Sequence, residues 1–221
     1  DTVPARPVTP SDAQQVWAAK NPNGTYTVAL FNLGDKPSSV TADWSTLGFT
    51  GRASVRDLWN HEDLGSHSNK ITEALPAHGS RLFTVTPQGH HGLKWTGIEA
   101  EASANTLSGN ASVADCSTCS GGKKVGNLYL GGKLTVNDVV VDKPGTYQIK
   151  VSYVSGDARS LDVSANGGGA TGHKFPSTGD WGTTSDVYVP VTLKAGANTV
   201  TFDSGTGYGP DIDRIDVPRS S

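Results

Sequence analysis

Apolar and polar residues alternate in short runs along most of the chain. In the clearest run, every second position is apolar: Tyr147, Ile149, Val151 and Tyr153. Residues 187–193 repeat this pattern. Such runs recur about every 8–12 residues with Gly, Asn, Asp or Pro between them, as in a sandwich or barrel, and no stretch keeps a helical apolar period over three turns. The pattern predicts an all-β fold of antiparallel strands, each with one buried and one solvated face.

The first segment, residues 14–86, contains a series of predicted strands. They lie at 15–20, 25–33, 38–41, 52–59, 70–75 and 81–86. Asn23-Gly24 is a strong hairpin signal, because both residues tolerate positive φ. One turn of helix is predicted between Asp43, as its cap, and Gly48, where it stops. The large apolar side chains expected to pack in the core or between domains are Phe31, Trp44, Leu58 and Trp59.

A polar, glycine-rich stretch divides the chain into two predicted domains. We place their bounds at 1–87 for the first domain, 88–95 for the linker and 96–221 for the second domain. In the second domain the apolar phase slips between Val136 and Val139, which predicts a β-bulge near Asn137-Asp138. Asn166-Gly167 and Ala195-Gly196 are predicted hairpin turns. The expected architecture is two antiparallel β-sandwiches in tandem.

Successive connections in an up-and-down strand path alternate between the two ends of a sandwich. The tight turns should share one end: Pro144-Gly145, Asn166-Gly167 and Ala195-Gly196. The longer loops 155–160, 176–183 and 204–210 should share the other end with the Asn127 region. Loops held by a rigid scaffold commonly carry binding residues. The notable side chains on or beside these loops are Asp157, Arg159, Trp181, Tyr208 and Asp211.

Trp181 lies in a polar loop and has two interpretations. If exposed, its indole would stack on an apolar ligand face such as the C–H face of a sugar, while Asp and Asn side chains bond the hydroxyls. If folded back, it would close the end of the sandwich, since Trp is usually largely buried. Its expected neighbours Tyr208, Asp211 and Asn127 favour the ligand interpretation.

Acidic residues stand near both ends of the second segment. Glu99 and Glu101 lie two apart on a predicted strand and so face one side. Asp211, Asp213 and Asp216 would come close to them if the first and last strands pair. Converging carboxylates repel unless a cation joins them, which suits Ca²⁺. The spacing of these residues in the sequence favours solvated surface groups instead, because no twelve-residue calcium loop is present. A third alternative is the carboxylate pair of a glycosidase.

Cys116 and Cys119 are the only cysteines. A zinc site needs about four ligands, and the neighbouring candidates His90 and His91 lie in the predicted linker. A redox motif would need a βαβ setting, which the pattern does not provide. We expect a small-ring disulfide that stiffens a glycine-rich loop in an oxidising compartment.

Composition and charge narrow the function classes. The 221 residues include 27 Gly and 12 Pro, and a net charge of −3 offers no basic field for nucleic acid. No apolar run approaches the ~18 residues of a membrane span. The chain has no Met and opens with Asp1, so we expect a processed product or part of a longer protein. The first segment holds no nucleophile–base–orienter set.

Motifs of the first segment match one family in order and spacing. They are Val16-Trp17-Ala18, residues 27–32, residues 55–59, Asp63-Leu64-Gly65 and residues 75–80. With these, residues 14–86 resemble the C-terminal β-sandwich of α-galactosidase-like enzymes, glycoside hydrolase family 27. In that family the sandwich packs on a (β/α)₈ barrel that holds both catalytic aspartates. The resemblance implies that Asp1-Thr2-Val3 closes the barrel and that this chain alone is not an enzyme.

Motifs of the second segment match another family. They are Ile98-Glu99-Ala100-Glu101-Ala102, residues 119–122, Gly145-Thr146-Tyr147, residues 163–168, Thr178-Gly179-Asp180-Trp181, residues 193–200 and residues 210–215. The segment resembles a family 35 carbohydrate-binding module, related to family 6. Such modules are jelly rolls with a structural calcium, which implies Glu99 and Glu101 as ligands together with Asp213 or Asp216.

The same resemblance assigns the sugar site. Trp181 and Asp211 match the stacking aromatic and the hydroxyl-bonding positions. Asn127 stands where related modules often place an aromatic, and Tyr208 is the expected substitute for it. The candidate sugar-binding residues are Trp181, Asp211, Tyr208, Asn127 and Asp157.

These expectations combine into one hypothesis about function. The chain would be a non-catalytic, calcium-stabilised, carbohydrate-binding accessory region of a secreted, extracellular α-galactosidase-like hydrolase whose barrel is missing from this chain. Its partners would be a saccharide or polysaccharide, with galactose-containing glycans as candidates, and the parent barrel, but neither nucleic acid nor membrane. The alternatives are an adhesion or structural β-sandwich protein, and a small intact glycosidase that uses Asp211, Asp213, Glu99 or Glu101.

Overall fold

The computed structural model describes residues 5–8, 13–89 and 93–219. The chain divides into two compact units between Leu93 and Lys94. The strands are β1 (Arg6–Pro7), β2 (Gln14–Lys20), β3 (Tyr26–Asn32), β4 (Ser38–Asp43), β5 (Arg52–Asp57), β6 (Glu62–Ser68), β7 (Lys70–Leu75), β8 (Ser80–Gln88), β9 (Lys94–Glu99), β10 (Thr106–Ser108), β11 (Ser112–Asp115), β12 (Lys123–Gly126), β13 (Lys133–Val141), β14 (Gly145–Val154), β15 (Arg159–Ala165), β16 (Thr171–Phe175), β17 (Thr184–Leu193), β18 (Gly196–Asp203) and β19 (Asp211–Arg219). Short 3₁₀ helices lie at Trp44–Leu47 and Ser120–Gly122. Among the described residues, no helix has the length and apolar character to cross a membrane.

The first unit is an antiparallel β-sandwich. One sheet has the strand order β1-β2-β3-β8-β5-β6, and β4 pairs with β7 in the other. Alternation along β3 and β8 turns Val28, Leu30 and Phe83 into the core, where each is fully buried. Trp44, on the predicted helical turn, is fully buried as well. Gly48 ends that turn in the left-handed region at φ 90°, so the predicted helical turn is confirmed.

The expected placement of Trp59 in the core is wrong. Its side chain is 56% exposed, because β5 ends at Asp57 and Trp59 lies in the turn that follows. Its backbone N–H donates to Asp57 Oδ1 at 2.9 Å. The hydrophobic pattern does not predict strand β6, because most of its side chains are exposed and its sequence shows no apolar alternation.

The second unit is an antiparallel jelly roll. One sheet has the order β10-β13-β18-β15-β16 and the other β11-β12-β19-β14-β17, with β9 also pairing to β19. The core between the sheets contains the fully buried side chains Val136, Ile149, Val189, Phe202 and Ile215. The two-sandwich, all-β prediction is therefore confirmed.

A β-bulge and a tight turn of the second unit lie where the sequence predicts them. The β13–β18 register shifts between Val136 and Val139, which confirms the predicted bulge. Asn166 and Gly167 both have positive φ in the turn after β15.

The predicted linker 88–95 overlaps regular structure. Gln88 ends β8, and Lys94 begins β9. His90 and His91, the alternative metal ligands, lie outside the described residues, as does Asp1-Thr2-Val3.

Candidate functional site

Three loops of the second unit meet at one end of the jelly roll: residues 155–158, 176–183 and 204–210, here called the loop end. Thr178 N–H donates to the Ser155 carbonyl at 2.7 Å, which joins the first two loops. Arg159, which directly follows the first loop, donates through Nη1 to the Gly209 carbonyl of the third loop at 3.1 Å. The tight turns meet at the opposite end, where Asn166 Nδ2 donates to Asn198 Oδ1 at 2.8 Å.

Arg159 links the two aromatic side chains of the loop end. Its guanidinium lies 4.4 Å from the centre of the Trp181 ring and 5.7 Å from that of Tyr208. Tyr208 in turn stacks on Tyr129, with ring centres 5.9 Å apart and planes inclined by 12°. Trp181 and Tyr208 are thus bridged by a cation instead of forming an open two-sided clamp. The sequence placed Arg159 on these loops but assigned it no role.

Trp181 is an accessible platform. It is 42% exposed, so the indole does not close the end of the sandwich. Asp180 Oδ1 accepts the N–H groups of Gly182 at 2.8 Å and Thr183 at 2.6 Å, which shapes the loop around the indole. These hydrogen bonds lower the pKa of Asp180. Gly156 lies directly against the ring, since a Cβ at that position would fall 2.4 Å from Trp181 Nε1.

Asp211 faces a buried lysine. Lys124 Nζ lies 2.9 Å from Asp211 Oδ2 and donates to the Trp181 carbonyl at 3.1 Å. The side chains of Lys124 and Asp211 are only 11% and 17% exposed. Gly126 packs closely here, because a Cβ would lie 2.9 Å from Asp211 Oδ1. Asp211 is therefore joined to the Trp181 loop through Lys124, a residue that the sequence analysis did not single out.

The remaining two predicted sugar-binding residues differ in placement. Asp157 is exposed and lies 3.7 Å from Arg159 Nη2. It lines an open groove of about 510 Å³ together with Arg159, Asp162 and Tyr208. Asn127 is exposed, has φ 58°, and donates to Ser112 Oγ at 2.8 Å, so it lies beside β11.

A carboxylate cluster forms where β9 meets β19: Glu99, Glu101 and Asp213. In the described structure, a buried oxygen of each accepts no hydrogen bond: Glu99 Oε2, Glu101 Oε2 and Asp213 Oδ1. Burial, with the nearby charges of Glu99 and Glu101, raises the pKa of Asp213 to about 6. No three carboxylate, imidazole or thiol groups of the described residues are drawn together at the spacing of a formed metal centre.

A β-bulge selects the aspartate that joins this cluster. Ile212 pairs with Tyr153 and Arg214 with Ser152, so Asp213 is the extra residue on β19. Asp216 lies elsewhere, 2.5 Å from Arg214 Nη2 and 3.0 Å from Lys150 Nζ. The geometry thus favours Asp213 over Asp216 as the partner of the two glutamates.

Cys116 and Cys119 form the predicted disulfide, with their Cα atoms 5.3 Å apart. The loop that they close, together with Ser120 directly after it, contacts both regions described above. Thr118 Oγ1 donates to the Gly182 carbonyl beside Trp181. Ser120 Oγ donates to Glu99 Oε1 at 2.7 Å, and Ser120 N–H donates to Asp213 Oδ2 at 3.2 Å.

Comparison with known families and structures covers both units. Residues 11–85 match the alpha galactosidase C-terminal beta sandwich domain, and residues 99–218 match the carbohydrate binding module of family 6. A family 35 carbohydrate binding module from Clostridium thermocellum is 36% identical, with a TM-score of 0.55 over 56% of this chain and 98% of that one.

Two longer proteins are also similar. The structure of isomalto-dextranase from Arthrobacter globiformis, complexed with panose, is 28% identical, with a TM-score of 0.51 over 96% of this chain and 39% of that one. Alpha-galactosidase 3 of Arabidopsis thaliana is 37% identical over 81 residues, which are 35% of this chain and 18% of that protein. The chain spans only 12–20% of the length of the first curated relatives that it matches.

Proposed function

This chain belongs to the family 6 carbohydrate-binding modules and carries an α-galactosidase-type C-terminal β-sandwich before the module; from this premise we propose that it binds a saccharide without cleaving it, at the loop end around Trp181. The exposed indole, held in place beside Arg159, is the observation that carries the proposal. A flat aromatic face suits the C–H face of a pyranose, and surrounding polar groups can bond the hydroxyls.

The polar groups around Trp181 suit a sugar. Asp157 supplies carboxylate oxygens 3.7 Å from Arg159, and Arg159, which lies over the Trp181 ring, retains N–H donors beyond the one bonded to Gly209. The groove that Asp157, Arg159 and Tyr208 line is open, as expected of a shallow site with weak intrinsic affinity. The benefit to a linked enzyme would come from raising its effective concentration on a polysaccharide.

Two exposed tryptophans allow a matched test of the site. Trp181→Ala should abolish retention of the chain on a glycan array, whereas Trp59→Ala, which removes the exposed indole of the first unit, should not. Equal binding by wild type and Trp181→Ala would refute the site. If no glycan is retained by the wild type, the adhesion or structural alternative replaces the proposal.

We also propose that Glu99, Glu101 and Asp213 hold a structural calcium ion. Their unbonded buried oxygens support this, because a hard divalent cation takes oxygen ligands and would neutralise the like charges. A cation that binds only the folded chain stabilises it by mass action. Excess chelator should therefore lower the melting temperature, and an unchanged melting curve would refute the calcium site.

We propose that the parent protein is a secreted, α-galactosidase-like hydrolase whose barrel supplies the catalysis. The family of the first unit and the disulfide in the second support this proposal. Galactose-containing polysaccharides are accordingly the first glycans to test. The purified 221-residue chain should not hydrolyse nitrophenyl galactosides; measurable turnover would favour the small intact glycosidase instead.

A further inference from the structure

Residues 116–124, here called the bridging segment, contact both the carboxylate cluster and the Trp181 loop. On the cluster side, Ser120 donates to Glu99 at 2.7 Å and to Asp213 at 3.2 Å. On the loop side, Thr118 donates to the Gly182 carbonyl, and Lys124 donates to the Trp181 carbonyl at 3.1 Å. The bridging segment thus links the proposed calcium site to the loop of the proposed saccharide site.

The bridging segment is internally tied. The disulfide joins Cys116 to Cys119, and Thr118 and Ser120 are the residues on either side of Cys119. Cys116 N–H donates to the Gly122 carbonyl at 2.9 Å, and Gly122 N–H donates to the Cys119 carbonyl at 3.2 Å. These bonds close the loop on itself, so a displacement of Ser120 is transmitted to Thr118 instead of being absorbed between them.

The carboxylate cluster is where a cation can change the contacts of the bridging segment, through the Ser120 hydrogen bonds to Glu99 and Asp213. The acceptors of Ser120 belong to carboxylates that carry like charges and unbonded buried oxygens. Repulsion among these carboxylates is opposed by Arg214, which lies 3.5 Å from Glu99 Oε1. We expect a bound cation to engage their unbonded oxygens as well, and so to fix the carboxylates and the Ser120 hydrogen bonds more firmly. A cation can shift the state of the Trp181 loop only through such a difference in contacts.

We infer that residues 116–124 couple cation binding at Glu99, Glu101 and Asp213 to ordering of the Trp181 loop, with Thr118 as the positioning residue at the junction. The inference rests on the proposed calcium site but not on the identity of any sugar. By linkage, a saccharide that requires the ordered loop would in turn bind more tightly with the cation present.

Calcium chloride alone tests the coupling, using the full chain and no saccharide. The amides of Gly182 and Thr183, which donate to Asp180, report loop opening through hydrogen exchange measured by NMR. Thr118→Val removes the hydroxyl donor and keeps the side-chain shape. Thr146→Val is the matched control, since Thr146 makes an exposed hydroxyl pair with Thr192 at 3.1 Å.

In wild type and Thr146→Val, calcium should slow exchange of both amides by about fivefold or more. In Thr118→Val the slowing should be clearly smaller, because only the Lys124 contact with the Trp181 carbonyl remains, while calcium raises the melting temperature of all three proteins equally. Equal slowing in Thr118→Val, or none in wild type, would overturn the coupling while leaving the cation site in place. No melting shift in any protein would overturn both, and the saccharide proposal would still be decided by the glycan array.

Discussion

Replacing Gly156 by Ala should displace the Trp181 platform without unfolding the module. The new Cβ would lie 2.4 Å from Nε1 and 2.9 Å from Cδ1 of the indole. Ordinary carbon contacts need about 3.5–4.0 Å, so the ring has to move by about 1 Å or more. Because Trp181 is 42% exposed, it can move toward solvent, and the backbone of the loop need not follow.

The expected loss comes from two interactions. Moving the indole off Arg159, now 4.4 Å from the ring centre, weakens a cation–π contact worth about 0.5–1 kcal/mol. Misplacing about 40 Å² of apolar ring face beneath a bound sugar removes about 1 kcal/mol more. Saccharide affinity should therefore fall about 10- to 30-fold, since 1.4 kcal/mol corresponds to tenfold.

Affinity electrophoresis through a galactose-containing polysaccharide measures the effect, and thermal denaturation checks the fold. Gly169→Ala is the matched control, because Gly169 has open space around it in the turn region after β15. Gly156→Ala should lose most of its retardation, whereas Gly169→Ala should behave as wild type. If Gly156→Ala is retarded as strongly as wild type, the indole is not the surface on which the saccharide rests.

Three further predictions concern stability. Burial lowers the pKa of His173, although the negative charge of Asp162 acts in the opposite direction. Because the unfolded chain takes up the proton first as the pH falls, the free energy of unfolding should decrease below about pH 6.5. Urea titrations of His173→Leu should show a smaller decrease. Trp44→Ala should cost about 3–5 kcal/mol in the same assay, because the side chain is fully buried in the first unit; a cost below about 1 kcal/mol would contradict that packing. Replacing Cys116 and Cys119 together by Ser should cost only about 2 kcal/mol, as the closed loop is short, and loss of folding would show that the bridging segment supports the core.

The long strands β13, β14 and β17 of the second unit are predictable because each has an apolar face that alternates with polar residues. Alternation along β14 and β17 identified both, and the phase slip at Asn137-Asp138 located the bulge. The alternation of connections between the two ends of the sandwich also predicts that Trp181 and Tyr208 share one end. Strand β6 escaped because its exposed residues carry no alternation.

The contacts of the candidate site were harder to predict than its location. Arg159 reaches two rings from separate loops, and Lys124 is a buried lysine at a position where sequence suggests a solvated one. The choice between Asp213 and Asp216 depends on a bulge in β19 that strand periodicity alone does not reveal. Trp59 was misassigned because an aromatic after a strand resembles a core residue until the end of the strand is known.

The last strand of the second unit occupies a central place in its sheet. β19 pairs with β9, β12 and β14, and Arg219 lies opposite Lys94, the first residue of β9. During synthesis on the ribosome, the hydrophobic core therefore stays open until these final residues have emerged. Because its entry and exit points are neighbours, such a module can be inserted into another polypeptide with little disturbance to its host.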